Sequence, residues 1–389
     1  MKSVCATVAA TAGYAERFPE LNFQPLSDTG LKVSPIGFGS YRIDTSFPQH
    51  REALRHALLS GINLIDTSAN YTGGGSELLI GSAVEDLENE GVLRRDELVI
   101  VSKVGYLQGR IYRLSQNLKA DGRGYPDLVE FANNLEHCIH PAFIEDQLTL
   151  SLSRLNCGAI DVYLLHNPEY YLAWAHRSGV DSAAAQTEYY RRIKLAFEHF
   201  EKECERGRIR YYGISSNTFP VTPADPEFTS LERVLEIANG ISPLHRFRVI
   251  QFPLNLIETG GVTNRTHVDG LSALDLARRH NLAVLTNRPL NAIQGSNLVR
   301  LSEDNPQAAM LRSLVGEIDS DWAQAATLSQ MAVRALRSSL GVTCVLVGMR
   351  DPAYVDDQLA ELTRPLRVND RLESWQRLRL RLDGSISEN

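Results

Sequence analysis

Four residue types that can move a proton together stand at the ends of successive apolar runs. Ile62-Asn63-Leu64-Ile65-Asp66 ends in a carboxylate, and a phenol, Tyr71, follows ahead of Gly73-Gly74-Gly75-Ser76-Glu77. Leu98-Val99-Ile100-Val101-Ser102-Lys103 delivers an ammonium, and Ile160-Asp161-Val162-Tyr163-Leu164-Leu165-His166 an imidazole. A phenol with its ordinary pKa of about 10 is an acid at neutral pH. A nearby ammonium favours the phenolate and lowers that value. Lys103 can supply the charge, Asp66 can hold the ammonium, and His166 can donate to the oxygen that a substrate presents. Such a set is a general acid for a developing alkoxide. It contains no hydride source, so a cofactor must carry the reducing equivalents.

Singly, each residue has a structural reading. Asp66 can cap a turn, His166 can be a hydrogen-bonded core group, Lys103 a surface lysine and Tyr71 a lid aromatic. Four reactive types at successive strand ends are harder to explain as packing.

The elements that position them alternate in type. Apolar runs at 36–40, 62–66, 98–103, 160–165, 209–214, 247–252, 282–286 and 344–347 read as eight strands. Between them lie stretches with helical spacing, at 50–60, 77–87, 143–155, 189–206, 231–238, 271–280 and 322–340, and a last helix covers 354–362. Near-continuous apolar strands separated by helices indicate a parallel α/β sheet covered by helices. Eight such units predict a closed (β/α)8 barrel of the TIM type, and no GxGxxG follows the first strand to support the open alternative. In a barrel the C-terminal ends of the strands carry the site. Phe23 to Val33, with the turn signal Ser27-Asp28-Thr29-Gly30, predicts a small hairpin ahead of the barrel.

The chain has 389 residues, 43% of them apolar, and a formal net charge of −7. It has no block of basic residues, which argues against a nucleic-acid partner. No apolar run is long enough to cross a membrane. Five widely spaced cysteines form no CxxC pair, so neither a zinc site nor a disulfide framework is suggested, and a reducing compartment, the cytoplasm, fits best. Residues 1–21 read as a disordered leader in preference to a weak signal peptide. Residues 22–389 read as one barrel domain with insertions at about 105–140, 167–187 and 287–321. Long loops after barrel strands set specificity. The Arg-rich stretch 371–381 alternates Arg with Leu at helical spacing and predicts an amphipathic helix against the barrel.

Asp66-Thr67-Ser68-Ala69-Asn70-Tyr71, with Glu77 and Gly81 behind it, resembles the signature of the aldo-keto reductases. Ser102-Lys103, Leu164-Leu165-His166-Asn167, Gly213-Ile214-Ser215-Ser216-Asn217, Val249-Ile250-Gln251 and Val347-Gly348 are similar to that family's later motifs, in order. The resemblance spans roughly residues 23–365. It implies a TIM-type barrel that binds NADP(H) without a Rossmann fold and transfers hydride to or from an aldehyde, ketone or sugar-like carbonyl. It implies Tyr71 as general acid or base, Lys103 and Asp66 as its tuners, and His166 as the group orienting the carbonyl. Ser215 or Asn217, with Gln251, would hold the nicotinamide amide. Ser40 and Tyr41 occupy the contact after the first strand, and Leu290 lies in the stretch after the seventh.

Two departures from the family pattern stand out. The aromatic expected at the end of strand seven is replaced by Asn287 in Leu285-Thr286-Asn287-Arg288-Pro289-Leu290; Tyr170, Tyr171 and Trp174 are the rings that could stand in. Arg288 there is either a phosphate contact or half of an ion pair. At the adenosine end Arg350 is the candidate for a 2′-phosphate, with Asp351 beside it, and Asp357 and Gln358 stand where an acid–amide pair would hold adenine. NADP is therefore favoured over NAD. The lost aromatic also leaves open a non-catalytic nucleotide sensor on the same barrel, and Lys103 as a Schiff-base amine is a third reading that its pairing with Asp66 disfavours. The sequence does not set the substrate, the reaction direction or the oligomeric state.

Overall fold

The computed structural model describes residues 5–386 apart from residue 296. Eight parallel strands close into a barrel. They are β1 (Ile36–Gly39), β2 (Leu64–Asp66), β3 (Val99–Val104), β4 (Ile160–His166), β5 (Ile209–Ser215), β6 (Phe247–Pro253), β7 (Ala283–Asn287) and β8 (Val342–Gly348). Each pairs with its sequence neighbours, and β8 pairs with β1 through Val345↔Ile36 and Gly348↔Gly39. The expected (β/α)8 barrel is the fold.

Leu64, Val101, Leu164, Val249, Leu285 and Leu346 are buried in one cluster that fills the bore. The opposite faces of the strands, with Ile65, Ile100, Tyr163 and Ile250, meet the helices in a second, larger cluster. Both strand faces are thus apolar, which is why the strands read as continuous runs. The expected hairpin is present as Gln24–Pro25 against Lys32–Val33. Its Leu26, Leu31 and Val33 belong to the bore cluster and close the N-terminal end of the barrel.

The expectation of a disordered leader over 1–21 does not hold for the described part. Val8–Glu16 is a helix, capped by Thr7, whose Oγ1 accepts from Ala10 N at 3.1 Å. Ala6 is buried in the bore cluster, and its N–H donates to Asp161 Oδ1 at 2.7 Å. Tyr14 is fully buried, with its hydroxyl on Leu58 O at 2.5 Å. Apart from Tyr14 the buried residues are small, Ala6, Ala10 and Thr11, so the segment carries little of the hydropathy that marks a core element. Residues 1–4 of that expectation lie outside the described residues.

The three long connections are folded rather than loop-like. The first holds a three-stranded antiparallel sheet, Tyr106–Gln108, Val129–Ala132 and Leu135–His137, with the helix Gly109–Ala120. The second holds the helix Tyr170–Arg177, and the next helix, Ser182–Glu205, begins inside it. The third holds the hairpin Asn291–Gln294 with Asn297–Arg300 and the helix Ala308–Ile318. The single helix expected over 322–340 is broken into a short turn, Trp322–Gln324, and Leu328–Arg337, because Thr327 caps a new start by accepting from Gln330 N. The Arg-rich stretch is the helix Leu372–Ile386, and it buries Trp375 against Trp322.

Candidate active site

Asp66 ends β2, Lys103 lies near the end of β3 and His166 ends β4. Parallel register brings them to one rim: Asp66 pairs with Val101, and Lys103 with Leu164. Tyr71 comes from the turn after β2. Thr72, Gly73 and Gly74 all take positive φ there, a reversal that glycine allows at little cost. The reversal starts the helix Gly75–Asn89, which is anchored through buried Glu77: its Oε1 accepts from Ser102 Oγ at 2.6 Å and its Oε2 from Arg154 Nε at 2.7 Å.

Lys103 Nζ is fully buried and makes three bonds, to Asp66 Oδ2 at 2.7 Å, Thr67 O at 2.9 Å and Tyr71 Oη at 3.1 Å. All three ammonium hydrogens are therefore directed. Burial opposes the charge on Lys103, but Asp66 and then Tyr71 outweigh it and raise its pKa. The phenol of Tyr71 corrects the expectation of a lowered pKa. Burial is the largest influence and raises it, Lys103 pulls it down, and the net result is upward. Tyr71 is held as a protonated phenol against a cation. The His166 ring lies 5.9 Å from the Tyr71 ring, and its Nδ1 is 3.1 Å from Ser68 Oγ. Burial, then Lys103 and His137, push its pKa well down, so the imidazole is neutral.

The residues expected to hold a cofactor divide. Ser215 Oγ donates to Gln251 Oε1 at 2.8 Å, and Gln251 Nε2 donates to Asp66 Oδ1 at 2.8 Å. Ser216 turns away, to Thr218 Oγ1 at 3.1 Å, so Ser215 is the serine that faces Gln251. Asn217 is half-buried, and its backbone N–H is taken by Glu169 Oε1 at 2.8 Å. Asn287 Nδ2 reaches Gln251 Oε1 at 3.4 Å. Ser40 is used internally: its N–H and Oγ both donate to Asp66 O, at 3.0 and 2.7 Å, and its carbonyl accepts from Ser76 Oγ. Tyr41 is 61% exposed and lies edge-on to Tyr71 at 5.3 Å.

Arg288 is an ion-pair residue, with Nη2 at 2.6 Å from Glu258 Oε1. Leu290 packs partly buried on the core. Arg350 is exposed at the loop after β8. Asp357 accepts from Ser329 Oγ at 2.8 Å and Gln330 Nε2 at 2.9 Å, and also from its neighbour Gln358. It therefore serves the start of the helix Leu328–Arg337. Tyr170, Tyr171 and Trp174 do not replace the missing ring. Tyr170 packs on Tyr106, Phe131 and His137, and Tyr171 on Trp174 and under Arg192.

A nicotinamide nucleotide fits the groups left over. Asn287 Oδ1 and Gln358 Oε1 are buried without a hydrogen-bond partner among the described residues, one at each end of the expected cofactor track. Amide and adenine amino groups are donors that such acceptors would take.

Three contributors were not legible as site residues. Tyr106 packs its ring 4.7 Å from His166, and its hydroxyl accepts from Asn167 Nδ2 at 2.9 Å. His137 reaches the His166 carbonyl at 2.8 Å. Glu169 is buried, with its pKa pushed up to about 7, chiefly by burial. Alternation across Val129–His137 was the one available signal for the sheet that carries His137.

Residues 35–376 match the profile of the Aldo/keto reductase family. Aldo-keto reductase YhdN of Bacillus subtilis is 25% identical over 245 residues, 61% of this chain and 55% of that protein. The NADH-specific methylglyoxal reductase of Escherichia coli is 28% identical over 158 residues, 36% of this chain and 40% of that protein. The matched segments span about half the length of these curated relatives or less. Among solved structures, an aldo-keto reductase from Bacillus halodurans in its holo form aligns with a TM-score of 0.59 at 19% identity, covering 92% of this chain and 95% of that one. An aldo/keto reductase from Klebsiella pneumoniae in complex with NADP and acetate aligns at 0.54 and 20%, covering 92% and 94%. With the family profile matched over residues 35–376 and the closed eight-stranded barrel present, the chain belongs to the aldo/keto reductase family.

Proposed function

We propose that this protein reduces the carbonyl of an aldehyde, ketone or sugar-like substrate, or oxidises the matching alcohol, with NADP(H) as cofactor and Tyr71 as general acid or base. The observation that carries this reading is the three-way coordination of buried Lys103 by Asp66, Thr67 O and Tyr71. The cofactor, when bound, supplies or accepts a hydride.

The protein's own groups do the rest. Tyr71 Oη holds a proton beside a fixed positive charge. Giving that proton to an oxyanion leaves a phenolate that Lys103 stabilises, so the charge develops where the protein is preorganised for it. His166, a neutral ring 5.9 Å from the Tyr71 ring, would orient the carbonyl oxygen. Ser215, Gln251 and Asn287 would hold the nicotinamide amide, Arg350 the 2′-phosphate and Gln358 the adenine. Exposed Arg350 supports NADP over NAD. The same pairing that serves Tyr71 makes Lys103 a poor Schiff-base nucleophile, since its ammonium is stabilised by Asp66. The absence of any disulfide among the described residues fits a reducing compartment, the cytoplasm.

The test is the fall in reduced-nicotinamide absorbance with a panel of aldehydes and ketones. Turnover that disappears in Tyr71→Phe supports the reading. Tight dinucleotide binding without turnover on any carbonyl would overturn it in favour of a nucleotide sensor.

A further inference from the structure

We propose that His137, carried by the inserted three-stranded sheet, is a positioning residue that fixes His166 for its work on the substrate carbonyl. This rests on the reading of His166 given above and adds a residue that the barrel itself does not provide.

Four contacts argue for it. His137 Nε2 lies 2.8 Å from the carbonyl oxygen of His166, and both groups are buried. A carbonyl accepts, so Nε2 must carry the hydrogen, and burial, which pushes the ring's pKa down to about 4, keeps it neutral. The approach is possible because residue 105 is glycine: a Cβ there would stand 2.6 Å from His137 Nε2 and 2.6 Å from His166 O. Tyr106 from the same sheet lies edge-on to the His166 ring at 4.7 Å and to the His137 ring at 5.5 Å. Its hydroxyl also accepts from Asn167 Nδ2 at 2.9 Å, at a residue held at a φ of 50°.

His137 pairs with Tyr106 on one side and Val129 on the other, the centre of its sheet. The insertion thus grips His166 by its backbone and by its ring, and the following residue by its side chain. The inserted sheet supplies the donor to the His166 carbonyl, and with it a fixed direction for the imidazole. Positioning of this kind is felt in the chemical step, because small misplacements of a catalytic group cost rate more than affinity.

The experiment compares His137→Phe, which keeps a ring but loses the donor, with His137→Gln, which keeps a donor but loses the ring. Each is also made in a His166→Ala background. For His137→Phe we expect kcat to fall roughly tenfold, with dinucleotide affinity by fluorescence titration within about twofold of the parent. His137→Gln should recover most of the rate. In the His166→Ala background neither change should lower the rate further, because there is no imidazole left to position. The NMR signal of the His166 ring should shift in His137→Phe and not in His137→Gln. Undiminished kcat in a folded His137→Phe protein overturns the proposal. So does an equal loss with and without His166. If His137→Phe does not fold, an unrecovered rate in folded His137→Gln has the same effect. Loss of Tyr71 without loss of activity would instead remove the carbonyl-reductase reading itself.

Discussion

Gln251 and Asp66 stand on strands opposite each other across the barrel, β6 and β2, and are joined by a 2.8 Å hydrogen bond from Nε2 to Oδ1. The same Gln251 accepts from Ser215 and Asn287 through Oε1. The group proposed to hold the nicotinamide amide is therefore bonded to the carboxylate that steadies Lys103. Gln251→Leu removes both connections. We expect dinucleotide affinity to weaken by roughly tenfold or more and kcat to fall with it, whereas Asn287→Ala should change affinity less. Fluorescence titration and steady-state rates measure both. Affinity unchanged in Gln251→Leu would separate this residue from the cofactor.

Tyr71→Phe should lower kcat by about 10²- to 10⁴-fold, the usual contribution of a general acid, with cofactor affinity preserved. Because burial raises the Tyr71 pKa despite Lys103, the phenol stays protonated through neutral pH. Reduction should be nearly independent of pH between 6 and 9, and alcohol oxidation, which needs the phenolate, should climb across that range. A reductive rate falling sharply above pH 7 would contradict this.

Asp66→Ala leaves a buried ammonium without its carboxylate. Removing one partner of a buried pair costs about 3–5 kcal/mol, and urea denaturation should show a loss of that order. The Lys103 pKa, raised in the parent chiefly by Asp66 acting against burial, should fall. A loss below about 1 kcal/mol would mean that water reaches Lys103.

Glu169 gives stability a pH dependence near neutrality. Its carboxyl titrates at about 7 in the folded protein, chiefly because it is buried, against about 4.3 in an unfolded chain. A raised folded value contributes stability that is complete below the unfolded pKa and is lost as pH rises through 7. The loss approaches about 4 kcal/mol by pH 8 at most. Glu169→Gln should remove that slope, and paired denaturation curves at pH 5.5 and 8 would reveal it. Parallel curves for both proteins would place the titration elsewhere.

Arg350→Ala should raise the KM for NADPH by roughly tenfold and leave that for NADH nearly unchanged, as expected for a charged contact to a 2′-phosphate. Equal effects on the two nucleotides would assign the discrimination to another residue.

The sequence was most readable where chemistry and period coincide. Asp66, Lys103 and His166 each end an apolar run, and those runs are β2, β3 and β4. Residue type says nothing about internal engagement: Asp357 accepts from Ser329 and Gln330, and Ser40 donates to the Asp66 carbonyl, bonds that only coordinates reveal. His137 was invisible because its role depends on a glycine from another segment, Gly105, leaving room for a ring. The N-terminal helix was missed because a single large side chain, Tyr14, anchors it beside the small Ala10 and Thr11, which leaves no apolar period to read. The net direction of the Tyr71 shift depends on burial against Lys103, a balance that needs coordinates.

The plug formed by Leu26, Leu31, Val33 and Ala6 at the lower end of the bore has a bearing on traffic. With that end filled by side chains, a dinucleotide and a carbonyl compound bound as proposed would both come in over the upper rim. Each would then constrain the passage of the other.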